Sequence, residues 1–388
     1  MFARVLASDA ACNGRFFTGV LTTGIYCLPS CTARKPKPEN VRFFPTVEAA
    51  RAAALRPCKK CHPDDYARGA DPVLEDVETL VAEMRATPED FPDVRAVVRR
   101  SGFGATRLFE LFRLHYHTTP ADLLLRARVD AAKAKLLATD AGLAAIANDI
   151  GFESLSVFHE HFRRLNGLTP AAYRQLRTTS TFTVTLPNGY PLGYLRRALS
   201  RDASSVNERL VGDHYTAAIR LSFGPALLKL HLTDREVGAE ISASTAVEAH
   251  AVVVGLLGLD QDAAAFARLA RKLGLARLVA GRPEMRISQT CSVFDGLLWA
   301  IIGQQINFAF ACVLKRRLIE RTGTSLSEGL YAPPTPADVA ALDPAELQPL
   351  QFSRQKADYV VATARLVADG KLDLGALSRT SAASAPGR

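Results

Sequence analysis

Four cysteines in two close pairs constrain this chain more than any other feature. Cys27 and Cys31 are spaced C-x-x-x-C, and Cys58 and Cys61 are spaced C-x-x-C. Each short spacing lets one turn present two sulfurs, and the loop between the pairs brings the second turn back over the first. That is what a tetrahedral Cys₄ zinc site requires. Five of the seven cysteines in this 388-residue chain fall within the first 61 residues. No charged-then-apolar leader opens the sequence, so secretion is not expected, and the thiols are expected to be reduced and metal-binding instead of disulfide-bonded.

Around the cysteines, Gly14 to Gly24 reads as a strand entering a tight turn that Gly24 allows. Val41 to Pro45 reads as a second strand, and Thr46 to Leu55 as a short helix capped by Thr46. A module this small has little core, so a bound metal would supply much of its stability. Spacing alone leaves two roles open for the cluster, an architectural zinc site or a reactive one.

The segment from Phe16 to Pro63 closely resembles the N-terminal zinc domain of the Ada family of DNA methyl acceptors and regulators. The matching residues are Thr22-Thr-Gly-Ile-Tyr-Cys-x-Pro-Ser-Cys31, Ala33-Arg34, Glu39-Asn-Val41 and Arg56-Pro-Cys-Lys-x-Cys61. The resemblance implies that Cys27 is both a zinc ligand and the methyl acceptor, with Cys31, Cys58 and Cys61 completing the site. Zinc keeps a bound thiol deprotonated, and a thiolate can take the methyl group of a methylated DNA phosphate by in-line displacement. The thioether product stays on the protein, so each molecule reacts once. It also removes one negative charge from the cluster, which should tighten DNA binding most at low salt. Thr23, Arg34, Arg56 and Lys59 match positions that face DNA phosphate in the family. Leu28 stands where the family usually has Arg, which removes one expected phosphate contact. Cys12 lies outside the pairs and reads as a bystander.

A loose repeat of about 50 residues follows a linker around Asp71-Pro72. One copy runs Val94 to Phe103, Arg107 to Phe112, then Thr119-Pro120. The other runs Leu143 to Phe152, Ser156 to Phe162, then Thr169-Pro170. Each reads as a helix, a Gly-Phe turn and a second helix, with Ser154 as a cap in the second copy. Two helical hairpins in a small bundle would give the same pattern. However, Gly151-Phe-x-Ser-x-Ser-x-Phe through Thr169-Pro-x-x-Tyr-Arg174 resembles the AraC-type DNA-binding domain. The resemblance implies two helix-turn-helix units bridged by a helix over about Thr119 to Ala138. The reading helices would span Ala105 to His115 and Ser154 to Leu165. Ser154, Ser156, His159, Arg163 and Arg164 are candidates to reach DNA, while Phe158 and Phe162 read as core. The first copy departs from the pattern at Ser101-Gly-Phe-Gly.

Beyond a polar joint at Arg177 to Thr181, strands are expected at Thr216–Phe223, Leu227–Thr233 and Val237–Ser242, and helices at Thr245–Leu257 and Asp262–Leu273. The apolar run Leu297 to Leu314 is interrupted by Gln304, Gln305 and Asn307 and reads as a buried helix, not a membrane span. Pro187-Asn-Gly-Tyr-Pro191, the small sheet and Ala300-Ile-Ile-Gly-Gln304 resemble the AlkA family of DNA-3-methyladenine glycosylases, in the helix-hairpin-helix superfamily. The resemblance implies that the Gly-Gln turn sits at DNA, with Gln304 and Gln305 at the contact, although an apolar residue would wedge a duplex better than Gln305. Trp299 would line a base pocket or pack in the core. Glycosylases of that family need a Leu-Pro-Gly-Ile-Gly-Pro-type hairpin and a following catalytic Asp. Neither occurs here; the chain instead reaches a low-complexity tail, Ser378 to Arg388, that looks truncated, and Asp295 and Asp358 do not substitute. There is also no Pro-Cys-His-Arg motif of alkylguanine methyltransferases, and Cys291 and Cys312 read as buried.

The expected fold is multidomain α+β: a small zinc-bound α/β module at 1–70, an all-α double helix-turn-helix domain at 71–178, and an antiparallel sheet at 179–280. An incomplete helical helix-hairpin-helix domain would occupy 281–388. The expected function is alkylation repair joined to transcriptional activation. Zn²⁺ is the cofactor and double-stranded DNA the partner, with RNA polymerase as a further contact, consistent with a net charge of +9. The chain is expected to be monomeric, cytoplasmic and nucleoid-associated. The alternatives are a working glycosylase and a transcription factor whose zinc is purely structural.

Overall fold

The computed structural model describes residues 1–69, 71–282, 284–377 and 379–381. Two compact units emerge, one of Met1–Met84 with Arg95–Pro120, the other of Arg85–Val94 with Ala121–Arg388. Among the described residues, no helix is long and apolar enough to cross a membrane.

In the first unit, a short helix α1 (Phe2–Leu6) precedes strands β1 (Phe17–Val20) and β2 (Ile25–Cys27). Gly24, at φ +63°, permits the turn between them. Strand β3 (Val41–Phe44) pairs antiparallel with β1, and β4 (Arg56–Pro57) adds parallel to β2, giving the order β3-β1-β2-β4. Helix α2 (Val47–Ala52) starts at Thr46, whose hydroxyl accepts from the Ala49 N–H at 3.2 Å, as the sequence predicts. Helix α3 (Pro63–Ala67) follows the last cysteine pair. Among the described residues, the buried apolar cluster under the cysteines comprises Phe17, Tyr26, Leu28, Val47, Ala50 and Leu55, with Phe44 packed against it. So small a core buries too little surface to hold a fold alone. Then come α4 (Pro72–Ala86), α5 (Val94–Ser101) and α6 (Ala105–Tyr116), the last two joined through Gly102 at φ +68°. Val97, Leu108, Leu111 and Phe112 are buried, on the inward faces of a helix-turn-helix.

The second unit begins with α7 (Pro120–Ala138), whose first residue belongs to the first unit, then α8 (Leu143–Asp149), α9 (Leu155–Asn166) and α10 (Pro170–Gln175). Phe158 and Phe162 are fully buried, as the apolar spacing on α9 requires. Next come β5 (Thr181–Thr185), α11 (Leu192–Leu199), β6 (Glu208–Val211), β7 (His214–Leu221), β8 (Gly224–Leu232), β9 (Glu236–Ile241) and α12 (Val247–Leu257). The sheet is antiparallel throughout, in the order β5-β9-β8-β7-β6. One hydrophobic core runs from Val129 to Leu259, so the second helix-turn-helix and the sheet pack as one body. Their seam is tight. Gly167 ends α9 at φ +66°, and a Cβ there would stand 2.3 Å from a Val184 methyl. Across the same seam the buried His250 ring hydrogen-bonds the Asn166 carbonyl at 2.8 Å and meets Tyr173 edge-on at 5.2 Å.

Helix α13 (Ala263–Lys272) leads to α14 (Val293–Gly303) and α15 (Phe308–Thr322). A two-stranded ribbon, β10 (Thr324–Ser325) with β11 (Tyr331–Ala332), and short helices α16 (Pro336–Ala340) and α17 (Pro344–Leu347) precede α18 (Arg354–Ala368). Phe294, Leu298, Ile302, Leu314, Leu318, Val360 and Val361 form a second core.

The structure departs from the sequence reading in three places. The polar joint ends in a true edge strand, β5, because Phe182 and Val184 alternate inward between threonines; β6 was likewise not anticipated. The Leu297–Leu314 run is two helices, not one, since Gln304 leaves helical geometry and Gln305 takes φ +58°. Ser154 occupies the cap position of α9 but its side chain makes no capping hydrogen bond. The tail from Ser378 lies outside the described residues except at Arg379, Thr380 and Ser381.

Burial holds the His250 imidazole neutral, lowering its pKa from 6.5 to about 4. The unfolded chain therefore binds more protons in that interval, and stability present above pH 6.5 is lost as pH falls toward 4. The shift corresponds to roughly 3 kcal/mol. Hydrogen-exchange protection of α9 is expected to fall across this range, and to fall less steeply in His250→Gln. Equal pH slopes in the two proteins would contradict the assignment.

A candidate metal centre and nucleic-acid interface

Cys27 closes β2, Cys31 follows the Pro29-Ser30 turn, and Cys58 and Cys61 sit on the knuckle between β4 and α3. All four Sγ atoms lie within 4.8 Å of one another. Four sulfurs at about 2.3 Å from a tetrahedral zinc would stand about 3.8 Å apart, so the set fits that ion with a small contraction. Cys31 and Cys58 are buried, whereas Cys27 and Cys61 are half-buried and reachable. The cysteines are free, as expected.

Backbone N–H groups aim at the cluster unevenly. Leu28 donates to Cys61 Sγ at 3.3 Å and Lys60 to Cys58 Sγ at 3.4 Å. Among the described residues, no backbone N–H donates to Cys27. The hydrogen bond with Cys61, then burial, pushes the Cys27 thiol up, and burial pushes Cys31 up to about 11. The bond from Cys27 brings Cys61 down to about 6. A dication at the centre attracts every thiolate at once and removes that penalty.

A polar clamp supports this loop, and nothing in the sequence pattern announces it. The buried Tyr26 hydroxyl donates to Asp64, Arg51 Nε donates to the same hydroxyl at 3.2 Å, and Arg51 Nη2 reaches Asp64 at 2.5 Å. Three elements, β2, α2 and α3, are thereby tied beside Cys27. Thr23, Arg34, Arg56 and Lys59 are all exposed. The Arg56 N–H bonds the Gly24 carbonyl at 2.8 Å, which puts it beside the Thr23 turn. Leu28 is 5% exposed and packs inward with Tyr26, so its side chain does not reach out toward a phosphate.

On α9, Ser156, Arg163 and Arg164 are exposed, as is Ser154 before it, while His159 is half-buried with its ring edge-on to Phe158 at 5.8 Å. His159, Arg163 and Arg164 line a groove whose other walls include Pro187, Asp262, Glu284 and Arg286. Gln304 and Gln305 are exposed on the turn between α14 and α15. Trp299 is half-buried and lines a cavity with Arg201, Asp295, Cys312 and Lys315. The buried Asp295 pairs with Lys315 at 3.2 Å, a partner the sequence did not reveal. Asp358 is exposed. Cys291 and Cys312, expected to be buried, are half-buried on that same cavity, and desolvation pushes Cys291 up to about 12. The carbonyls ending α14 are gripped by Lys356, which sequence reading also missed; its trace there is a cation in the first turn of a helix.

Residues 1–64 match the metal binding domain of Ada, residues 97–176 a helix-turn-helix domain, and residues 298–385 the HhH-GPD superfamily of base excision DNA repair proteins. The chain is 34% identical over 176 residues to the bifunctional transcriptional activator/DNA repair enzyme AdaA of Bacillus subtilis, covering 44% of this chain and 80% of that protein. It is 27% identical over 398 residues to the probable bifunctional transcriptional activator/DNA repair enzyme AlkA of Mycobacterium tuberculosis, covering 97% of this chain and 79% of the relative. Among solved structures, the DNA methyl phosphotriester repair domain of E. coli Ada is 49% identical, over 16% of this chain and 68% of that one, at a TM-score of 0.16. The cysteine cluster and the matching domain support zinc as the bound metal.

The small core of the first module makes it depend on this metal. Cys31→Ser is expected to lose zinc, measured as one equivalent per chain by a chromophoric chelator, and to lose exchange protection over β1–β3. Retention of both would refute that dependence.

Proposed function

Because the chain belongs to the family of bifunctional Ada-type transcriptional activators and DNA repair enzymes, we propose that Cys27 accepts the methyl group of a DNA methylphosphotriester. The acceptance then strengthens promoter binding by the helix-turn-helix segments. The observation that carries this reading is the uneven hydrogen bonding at the cluster. Donated N–H bonds draw electron density from Cys58 and Cys61; of the two sulfurs that receive none among the described residues, Cys31 is buried and Cys27 is half-exposed. Bound zinc would keep the four thiols ionised at neutral pH and would be held by Cys27, Cys31, Cys58 and Cys61.

In the transfer, the Cys27 sulfur lone pair forms the S–CH₃ bond as the O–CH₃ bond of the triester breaks. The electron pair leaves with the phosphate oxygen as a phosphodiester anion. Thr23, Arg34, Arg56 and Lys59 would hold neighbouring phosphates and fix the line of attack. The thioether cannot be discharged, so the chain reacts once. Methylation of Cys27 deletes one negative charge from the cluster, which lowers repulsion from the DNA backbone.

The functional segments proposed are the acceptor at 1–70, the DNA reader at 71–178 and the glycosylase-like remainder at 179–280 and 281–388. Ser154, Ser156, His159, Arg163 and Arg164 would meet DNA from α9, and Gln304 and Gln305 from the α14–α15 turn. Partners would be alkylated and promoter DNA, with RNA polymerase, and the chain would act as a monomer in the nucleoid-bearing cytoplasm. We further infer that residues 1–388 release no base. Their HhH-GPD match includes no Leu-Pro-Gly-Ile-Gly-Pro-type hairpin with its following Asp.

With DNA carrying labelled methylphosphotriesters, one methyl per chain is expected on the Cys27 peptide, and Cys27→Ser should accept none. Label on another cysteine, or on the Ser variant, would overturn the assignment. The same protein should free no 3-methyladenine from alkylated DNA; detectable base release would restore the glycosylase reading.

A further inference from the structure

Helix α18 begins against its own electrostatics. Ser353 caps it, but its first turn carries Arg354 and Lys356 and no acid, although a helix N-terminus favours negative charge. The Lys356 ammonium is placed elsewhere. It donates toward Ile302 O at 2.5 Å, Gln304 O at 2.9 Å and, more weakly, Ile301 O at 3.4 Å. These are carbonyls at the end of α14, where a helix leaves acceptors without partners and carries partial negative charge. A compact ammonium with three donors suits three converging carbonyls better than a planar guanidinium does.

The segment so gripped is unusual in a second respect. Gln305 lies at φ +58°, a left-handed conformation that a side chain disfavours, and both Gln304 and Gln305 point their side chains into solvent. On the far side Asn307 caps α15 through the Phe310 N–H at 2.9 Å. A strained, exposed turn persists only where its surroundings over-determine it, and such turns gather at functional sites. Here the restraint comes from a residue more than fifty positions away in the chain.

We propose that Lys356 is a positioning residue for DNA engagement, holding the Gln304–Gln305 turn in the shape that meets an unstacked step of a duplex. This rests on the reading of that turn as DNA-facing.

The test uses the full chain and a duplex carrying 2-aminopurine beside a tetrahydrofuran abasic analogue, whose fluorescence rises when the step is opened. Four proteins are compared: wild type, Lys356→Met, Lys356→Gln, and Gln304→Ala combined with Gln305→Ala. The wild type should brighten the probe and the double variant should not. Lys356→Met should need about tenfold more protein for the same brightening, the scale expected for losing charge-assisted hydrogen bonds. Its affinity for intact duplex, to which α9 and the first module would also contribute, should fall by much less than that. If Lys356→Met does not fold, Lys356→Gln takes its place with the same expectation. Wild-type brightening by the Lys356 variants, with the double variant inactive, would overturn the positioning role, even if their melting temperature falls. Wild-type brightening by the double variant would instead overturn the DNA-facing reading of the turn.

Discussion

Four sulfurs meeting within 4.8 Å supply what the six-residue core beneath them cannot. The apolar area there is too small to fix the β1–β3 sheet unaided, so the cross-link sets the geometry of the first 64 residues. The Tyr26–Asp64–Arg51 clamp then orients the strand that delivers Cys27. Function uses the same interaction. The cluster that would hold the module together is, on the proposed reading, also the one that becomes less negative, and two of its four sulfurs have amide donors while Cys27, among the described residues, has none.

Much of this was legible in the sequence. Cysteine spacing alone gave the four ligands, because two short spacings leave few ways to present sulfurs. The Gly-Phe turns and Thr-Pro starts gave the helix-turn-helix repeats, because turns and caps are local signals. What escaped reading was long-range. Tyr26 looks like any strand aromatic until Asp64 arrives from a helix 38 residues later. Asp295 looks like a helix acid until Lys315 covers it. The edge strand at Thr181–Thr185 was hidden in a threonine-rich joint, since its alternation is short and its pairing partner, β9, comes some fifty residues later. The broken apolar run at Gln304 shows the converse error. Overall apolarity suggested one helix, although the polar residues that end it were plainly present.

The second helix-turn-helix shares its core with the following sheet, through Gly167, Val184, Tyr173 and His250. That seam makes the second helix-turn-helix and the sheet one packed body. The groove beside Arg163 and Arg164 is accordingly walled in part by the sheet and the helices after it. Helix α9 is therefore anchored to the sheet, so changes in the glycosylase-like part bear on how it presents its side chains.

The claim that joins repair to regulation is electrostatic: methylating Cys27 removes one negative charge facing DNA. Promoter affinity of the full chain, before and after reaction with methylphosphotriester DNA, tests it most directly when measured at two salt concentrations. The account predicts tighter binding after methylation. The gain should be large at low salt and shrink as the Debye length drops from about 10 Å at 0.1 M to about 3 Å at 1 M. Equal affinities of the two forms at low salt, or a gain independent of salt, would contradict it.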